Sequence, residues 1–178
     1  DQVSKSILPI DSVVNRIFII FKIATLHTGR QVKAKKRLNI KSKLTEKIQK
    51  YDFKEGLPQE FEIIDFDLLF YDFFEEMRKP HRAEFYQIFW FQEGLPTHTV
   101  DFKPIKINHN SLLFINKNSV QIFDTKTKFK GKAILFTDNF FCKTRLDTQF
   151  LKSTILFNDL LSIAQINISD SIIETIFK

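Results

Sequence analysis

The sequence predicts a mainly β domain followed by short helices. Between residues 61 and 136, short runs of β-branched and aromatic residues alternate with turn signals that contain Asn, Gly or Pro. Short, evenly spaced strands of this kind are typical of a β-sandwich or barrel. The chain also contains 21 Phe against one Trp and three Tyr. Because Phe favours strands and buries a large apolar area, the 178 residues can fill the core of one full-sized domain.

The strongest predicted strand covers residues 83–91 and is apolar on both faces. Its side chains alternate between two sets: Phe85, Phe89 and Phe91 on one face, and Tyr86, Ile88 and Trp90 on the other. Such a strand is expected between a barrel interior and a covering layer. Further strands are expected at residues 61–66, 97–102, 104–107, 111–115, 120–123 and 133–136. An acidic stretch with the aromatic pairs Phe70-Tyr71 and Phe73-Phe74 precedes Pro80 and the strongest strand.

The pattern changes after residue 136. Thr137 and Asp138 can cap a helical turn that carries Phe140 and Phe141, and residues 146–151 predict a second short helix. Residues 162–168 show strand-like alternation. Ser171 and Glu174 then have the spacing of a capping box, which opens a last helix. One face of that helix is apolar and contains Ile172, Ile173, Ile176 and Phe177.

The positive charge is confined to the leader, residues 1–50. This segment holds 12 Lys/Arg and three Asp/Glu, a net charge of +9, whereas the remainder holds 15 Lys/Arg and 18 Asp/Glu, a net charge of −3. The leader is expected to be weakly ordered because its apolar residues are sparse. A nucleic-acid-binding arm and a solvated tail are both compatible with this composition. The second interpretation is favoured, because the leader lacks interleaved aromatic residues that could stack on bases.

The ends of the sequence and its composition bear on processing and compartment. The first residue is Asp1, and Lys178 falls inside a predicted helix, so we expect a fragment cut at both ends. No signal peptide is recognisable, and the apolar run at residues 17–23 is too short to span a bilayer. The single Cys142 mildly favours a reducing compartment. We therefore expect a cytoplasmic protein without a membrane partner.

Four segments, taken in order, resemble the sensor domain of AraC/XylS-type transcription regulators. Residues 80–94 resemble its opening motif, in which a Pro-His-Arg segment leads into an aromatic strand and a glycine turn. Residues 100–102, 110–115 and 130–141 are similar to its next strand, its strand beginning with asparagine, and its barrel-closing segment. The resemblance covers about residues 52–178, excludes the leader, and looks closest to regulators of the Bacteroidetes kind.

The resemblance implies both a fold and a function. It implies a cupin-like (jelly-roll) barrel over residues 51–168, followed by the start of a dimerisation or linker helix at residues 169–178. Ile172, Ile173, Ile176 and Phe177 would then contribute to a homodimer. The alternative is that they pack onto the barrel of their own chain, and the two are compatible. The domain would sense a small-molecule effector, and DNA binding would belong to a helix-turn-helix half expected beyond Lys178. Where many members have a Pro-Gly turn, this chain has Lys117-Asn118, so that loop is expected to be looser.

Polar-tipped residues on the predicted strands are candidates for effector binding. They are Arg82, Tyr86, Trp90, His98 and Gln121. Small-molecule pockets are mostly apolar with a few such groups. The alternative is that these side chains pack in a filled core. For Arg82, the alternative is an ion pair with Glu84 or Asp101 that fixes the start of the strand.

Neither a metal, a cofactor nor a catalytic site is expected. A metal cupin needs a His-x-His pair followed by a carboxylate, and none of the four His residues forms such a pair. His98 followed by Asp101 is the nearest approach. No Ser/His/Asp arrangement is evident either, so we do not expect an enzyme. The alternative to a regulator is a stand-alone cupin enzyme or a small-molecule (sugar) binding protein.

Overall fold

The computed structural model describes residues 48–53, 60–157 and 165–168. Strands hold 41% of this part and helices 25%, so the predicted mainly β class is confirmed. The strands are β1 (Gln49–Tyr51), β2 (Phe61–Asp65), β3 (His81–Ala83), β4 (Tyr86–Glu93), β5 (Thr97–Val100), β6 (Lys103–Lys106), β7 (Ser111–Ile115), β8 (Gln121–Ile122), β9 (Lys130–Phe136) and β10 (Gln165–Asn167). The helices are α1 (Phe66–Met77), α2 (Asp138–Phe141) and α3 (Arg145–Ser153), with a 3₁₀ turn at Ile155–Phe157.

The strands form two five-stranded sheets. The first sheet has the order β1-β3-β8-β5-β6, and the second has the order β10-β7-β4-β9-β2. β1 pairs with β3 in parallel, and β4 pairs antiparallel with both β7 and β9. Gln49 and Lys50 belong to β1, so the sheets begin two residues before the predicted domain boundary.

β4 separates two hydrophobic cores, as its two apolar faces predicted. The inner core receives side chains from both sheets, including Phe89 and Phe91 of β4 and Val100 of β5. The outer core lies on the opposite face of the second sheet, where Ile88 and Trp90 belong to the same cluster as residues of α3 and the 3₁₀ turn. Alternation along a strand sends successive side chains to opposite faces, which explains this division.

Helix α1 was not predicted from the sequence, although its apolar residues are spaced as in an amphipathic helix. Positions 66, 69, 70, 73 and 77 recur every three to four residues and supply side chains to the inner core. Phe66 is 1% exposed, and its ring lies 5.2–5.9 Å from the rings of Phe89, Phe91, Phe123 and Phe129. The acidic stretch with aromatic pairs is therefore an amphipathic helix that closes the inner core.

Local capping explains the two short helices after β9. The Thr137 side chain accepts a hydrogen bond from the backbone N–H of Phe140, which begins α2 as predicted. Thr144 and Asp147 form a capping box at the start of α3. These caps provide acceptors for backbone N–H groups that the first turn of a helix leaves without partners.

The turn at Lys117-Asn118, expected to be loose, is held by neighbouring elements. The Asn118 backbone has a φ of 65°, which Asn tolerates better than most residues, and its N–H donates to the Ala83 carbonyl at 2.7 Å. Lys117 forms a salt bridge with Asp138 at the start of α2. This turn, which joins β7 to β8, is therefore tied to β3 through Asn118 and to α2 through Lys117.

Several predictions fall outside the described residues. These are the leader up to residue 47, residues 162–164 of the alternating segment, and the terminal helix with Ile172, Ile173, Ile176 and Phe177. Within the described ranges, every helix is too short or too polar to cross a bilayer.

Candidate functional site

Three polar side chains form a hydrogen-bonded chain inside the inner core. The His98 Nε2 atom donates to Gln121 Oε1 at 3.2 Å, because an amide oxygen can only accept. The Gln121 Nε2 atom donates to Gln87 Oε1 at 2.9 Å. Exposure of the three side chains is 1%, 1% and 5% respectively. This inner polar chain connects β5 and β8 of the first sheet to β4 of the second.

The inner polar chain leaves a hydrogen-bonding atom free at each end. Among the described protein atoms, neither His98 Nδ1 nor Gln87 Nε2 has a hydrogen-bond partner, and both are buried. With Nε2 protonated, His98 Nδ1 is an acceptor, whereas Gln87 Nε2 is a donor. Leaving such a group unpaired in a core costs about 1–3 kcal/mol. Each end of the inner polar chain therefore has a polar atom that the described residues leave without a hydrogen bond.

Aromatic rings surround His98. The centroid of its ring lies 4.5 Å from that of Phe123, 5.5 Å from that of Phe89 and 6.3 Å from that of Phe91. These rings belong to the inner core and exclude water from the imidazole. The side chains packed around the His98 ring are thus aromatic and apolar.

A second histidine, His81, also packs against the Phe123 ring. The two rings are nearly parallel, with centroids 6.2 Å apart, and His81 Nδ1 donates to the Lys79 carbonyl at 2.9 Å. The rings of Tyr51 and His81 pack edge to face, with centroids 5.8 Å apart. The buried hydroxyl of Tyr51 has no hydrogen-bond partner among the described protein atoms. Burial raises the pKa of Tyr51 well above its ordinary value, and the nearby Glu76 adds to this effect.

The site carries no formal charge at neutral pH. Burial lowers the pKa of His98 to about 3 and also lowers the pKa of His81, so both imidazoles are neutral. Within the described part of the chain, the buried polar residues are His81, Gln87, His98, Ser111, Ser119, Gln121 and Thr154. None of these is an acid, a lysine or an arginine. The buried polar groups of this region are therefore neutral dipoles.

The five residues predicted to bind an effector do not line one pocket. His98 and Gln121 meet in the inner core, but Tyr86 and Trp90 point into the outer core. Tyr86 stacks on Phe136 at 5.3 Å, and Trp90 Nε1 donates to Asn110 Oδ1 at 3.1 Å. The reason is alternation along β4, which places Tyr86 and Trp90 on the face opposite to Gln87, Phe89 and Phe91. Tyr86 and Trp90 therefore pack beneath the helices, away from His98.

Arg82 is exposed on β3 and lies outside the inner core. The salt bridge of the neighbouring Glu84 is made with Lys50 of β1. Hydrogen bonding by Lys50 lowers the pKa of Glu84, and the positive charge of Arg82 adds to this effect. Asp101, the other suggested partner, accepts a hydrogen bond from the Val120 N–H at 2.8 Å. The structure thus places Arg82 at the surface near the start of the strand.

Gln87 is the site residue that sequence reasoning missed. It lies inside the strongest predicted strand, on the same face as Phe85 and Phe89. That position predicts burial, and a buried amide needs partners. The sequence therefore did contain an indication of Gln87 as a site residue, because it is a polar residue on an apolar face of the strongest predicted strand.

Residues suited to binding a metal do not cluster in the described ranges. There, no three His, Cys, Asp or Glu residues lie close enough together to hold an ion. His98 and Asp101, the nearest approach in the sequence, differ in environment, since His98 is buried and Asp101 is exposed. His109 is exposed in the turn before β7.

Comparisons with known proteins do not identify a family. No family model matches the chain, and no curated protein matches it. Among solved structures, the plu4264 protein from Photorhabdus luminescens is similar over 56% of this chain and 76% of that chain. The sequence identity is 15% and the TM-score is 0.29, a similarity too low to support an argument about function. The resemblance to AraC-type regulators therefore stays a prediction.

Proposed function

We propose that this chain is the effector-sensing and dimerisation module of an AraC-type transcription regulator. The observation that supports the proposal is the inner polar chain, whose His98 Nδ1 and Gln87 Nε2 atoms have no partner among the described residues, in a largely apolar core. Buried polar groups in folded proteins are nearly always paired, so unpaired ones need an explanation. A small-molecule effector that pairs with them supplies one.

The position of the inner polar chain suits it to regulation. Gln87 belongs to the second sheet, whereas His98 and Gln121 belong to the first. Because these groups are buried, a ligand reaches them only when the intervening side chains or the sheets move. A ligand that binds one arrangement of the sheets better than another shifts the population toward it. That shift is the kind of coupling by which a sensor controls a DNA-binding partner domain.

The proposal extends to partners and compartment. By resemblance, the module forms a homodimer and acts in the cytoplasm, and a helix-turn-helix half recognises DNA. In this proposal the residues that contact the effector are Gln87, His98 and Gln121. Tyr86 and Trp90, which were also expected from the sequence, do not contact it. Arg82 has no role in this version of the site, because it is exposed.

A stand-alone cupin enzyme or sugar-binding protein is the alternative. The observation in its favour is the proximity of His81 and His98, which both contact the ring of Phe123. Histidine nitrogens are common metal ligands. Metal analysis of the purified chain separates the two functions, since a stoichiometric metal ion would favour the enzyme.

The sensing function can be tested while the effector is still unidentified. The purified chain is incubated with a cellular metabolite extract, washed and denatured, and the released compounds are identified by mass spectrometry. We expect one compound at near-stoichiometric amount from wild type and much less from Gln121→Leu. Light scattering should give the mass of a dimer. A monomer that retains no compound would contradict the proposal.

A further inference from the structure

We propose that the solvent face of helix α1 is the docking surface for an apolar, basic segment of the same chain, residues 13–26 of the leader. This docking is separate from the proposed sensing function and does not depend on it. With it, the leader is more than the solvated tail expected from its composition. Three features of the molecule support the docking: the apolar side chains on α1, the charges around them, and the point at which the leader joins the domain.

Three apolar side chains of α1 point into solvent, and together they define its solvent face. Leu68 is 58% exposed, Tyr71 is 87% exposed and Phe74 is 43% exposed. They recur every three residues, which makes them neighbours on a helix surface, although the backbone of Phe73 departs from helical dihedral angles. The other side of the same helix packs into the inner core. Exposed apolar side chains that lie together mark interaction surfaces, so this face is expected to have a partner.

The charges around the solvent face favour a basic occupant. Helix α1 holds no Lys or Arg and four acidic residues, which are Asp67, Asp72, Glu75 and Glu76. Arg78, just after the helix, forms a salt bridge with Glu75 and neutralises one of these charges. Two copies of this face would bring like charges together, which opposes pairing of α1 with α1 of a second chain. The terminal segment, residues 169–178, is also net acidic, with two acids and one Lys.

Residues 13–26 of the leader have the matching composition. They include the uninterrupted apolar run Ile17–Phe21, and their two charged residues are Arg16 and Lys22. Residues 12–45 contain no Asp or Glu, so the flanking chain is basic as well. Docking of this segment on α1 would remove two apolar surfaces from water at once, which is the main driving force of association. The basic residues would then lie close to the acidic ones of α1.

The leader joins the domain beside the end of α1. Strand β1 places Gln49 opposite His81, the first residue of β3, which begins four residues after α1 ends. Tyr51 of β1 lies near enough to Glu76 of α1 for that charge to raise the Tyr51 pKa. The intervening residues 27–47 can span at most about 70 Å, whereas a 12-residue helix is about 18 Å long. The tether also gives the segment a high effective concentration at α1, so a weak contact suffices.

The test attaches a nitroxide spin label at position 25 of the full chain. Thr25→Cys supplies the thiol, and Cys142→Ala removes the single native one. The label broadens the ¹⁵N–¹H signals of amides that come close to it. We expect broadening at Leu68 and Tyr71 that disappears when the nitroxide is reduced, and none at Leu146 on α3, which belongs to the opposite side of the second sheet. Raising the salt concentration should weaken the broadening, because salt screens the charges.

Two leucine variants test whether the contact is made on α1. Leu68→Lys removes an apolar side chain from the solvent face and adds a positive charge, so it should lower the docking equilibrium constant by about tenfold. The broadening of α1 signals should then largely disappear. Leu146→Lys is the matched control, because it makes the same change at a leucine of α3 that is 67% exposed, and it should leave the broadening unchanged. Tyr71→Lys, at the most exposed of the three positions, serves if Leu68→Lys does not fold.

A mixed sample separates docking within one chain from docking between two chains. Spin-labelled chain without ¹⁵N is mixed with an equal amount of ¹⁵N-labelled chain without the nitroxide. We expect sharp α1 signals in this mixture. Broadening as strong as in the singly prepared sample would assign the occupant to a second copy and overturn docking within the chain. Absence of broadening on α1 in every sample, or broadening that Leu68→Lys and Tyr71→Lys leave unchanged, would show that residues 13–26 do not bind this face.

Discussion

Gln121 occupies the centre of the inner polar chain, because it accepts from His98 and donates to Gln87. Gln121→Leu would leave His98 Nε2 and Gln87 Oε1 without partners, each at about 1–3 kcal/mol. Gln87→Leu would leave only Gln121 Nε2 unpaired, while removing the free Nε2 of Gln87 itself. We therefore expect the larger loss of unfolding free energy for Gln121→Leu, measured by urea denaturation. Equal losses would mean that the additional unpaired group left by Gln121→Leu costs little.

The buried imidazole of His98 predicts a dependence of stability on acid. In the unfolded chain this histidine takes up a proton near its ordinary pKa of 6.5, whereas burial keeps it neutral in the folded chain until about pH 3. The unfolded state therefore binds more protons between these values, and the unfolding free energy falls as pH falls through this window. The slope from this one group is about 1.4 kcal/mol per pH unit. Urea denaturation at several pH values between 7 and 4 measures it.

The variant His98→Gln separates this effect from other titrating groups. Gln cannot take up the proton but can still donate to Gln121 Oε1. The advantage of wild type over His98→Gln should shrink as pH falls below 6.5, while His81 and the carboxylates contribute equally to both proteins. The control His109→Gln, at an exposed position, should follow wild type at every pH. An advantage that is constant with pH would show that His98 is not protonated on unfolding.

At the scale of residues, the sequence showed which strand positions carry polar side chains, but it did not show which of these side chains face the inner core. His98 and Gln121 lie on short strands, where a polar residue stands out, and both are in the inner core. Tyr86 and Trp90 were assigned to the opposite face from Phe89, but alternation alone cannot say which face is enclosed by two sheets. That depends on pairing between distant strands, such as β4 with β7 and β9.

Helix α1 supplies the clearest comparison at the scale of elements. Phe66 and Phe74 lie on the same helix, but Phe66 is 1% exposed and Phe74 is 43% exposed. Phe66→Ala should lower the unfolding free energy by about 3–5 kcal/mol, because it removes a ring from a packed core. Phe74→Ala, the matched control, should lower it by less than about 1 kcal/mol. Thermal or urea denaturation checks both, and similar losses would contradict the assignment of the buried face.

The elements that the sequence predicted are those with a local signal. The runs at residues 61–66 and 111–115 correspond to β2 and β7, and the capping residues of α2 and α3 are local as well. The pairing of β1 with β3 joins segments that are about thirty residues apart, and no local pattern indicates it. The apolar residues of helix α1 recur at helical spacing, but the helix is rich in Phe and Tyr, which favour strands, and this composition obscured the pattern.

At the scale of the whole molecule, β4 joins the two cores into one structure. It pairs with β7 and β9, sends Phe89 and Phe91 into the inner core, and sends Ile88 and Trp90 into the outer core. Neither core can lose its packing without exposing a face of the same strand. The described domain is therefore expected to unfold as one cooperative unit, as small domains with a shared core usually do.

Trp90 makes this cooperativity measurable, because it is the single Trp of the chain and lies in the outer core at 3% exposure. Its fluorescence reports the outer core, whereas the ¹⁵N signals of His98 report the inner core. We expect both signals, and the far-ultraviolet circular dichroism, to change at the same urea concentration. Leu151→Ala, in the outer core on α3, should shift all three transitions together toward lower urea. A Trp90 transition that precedes the His98 transition would instead show that α3 and the outer core detach first, leaving the two sheets folded.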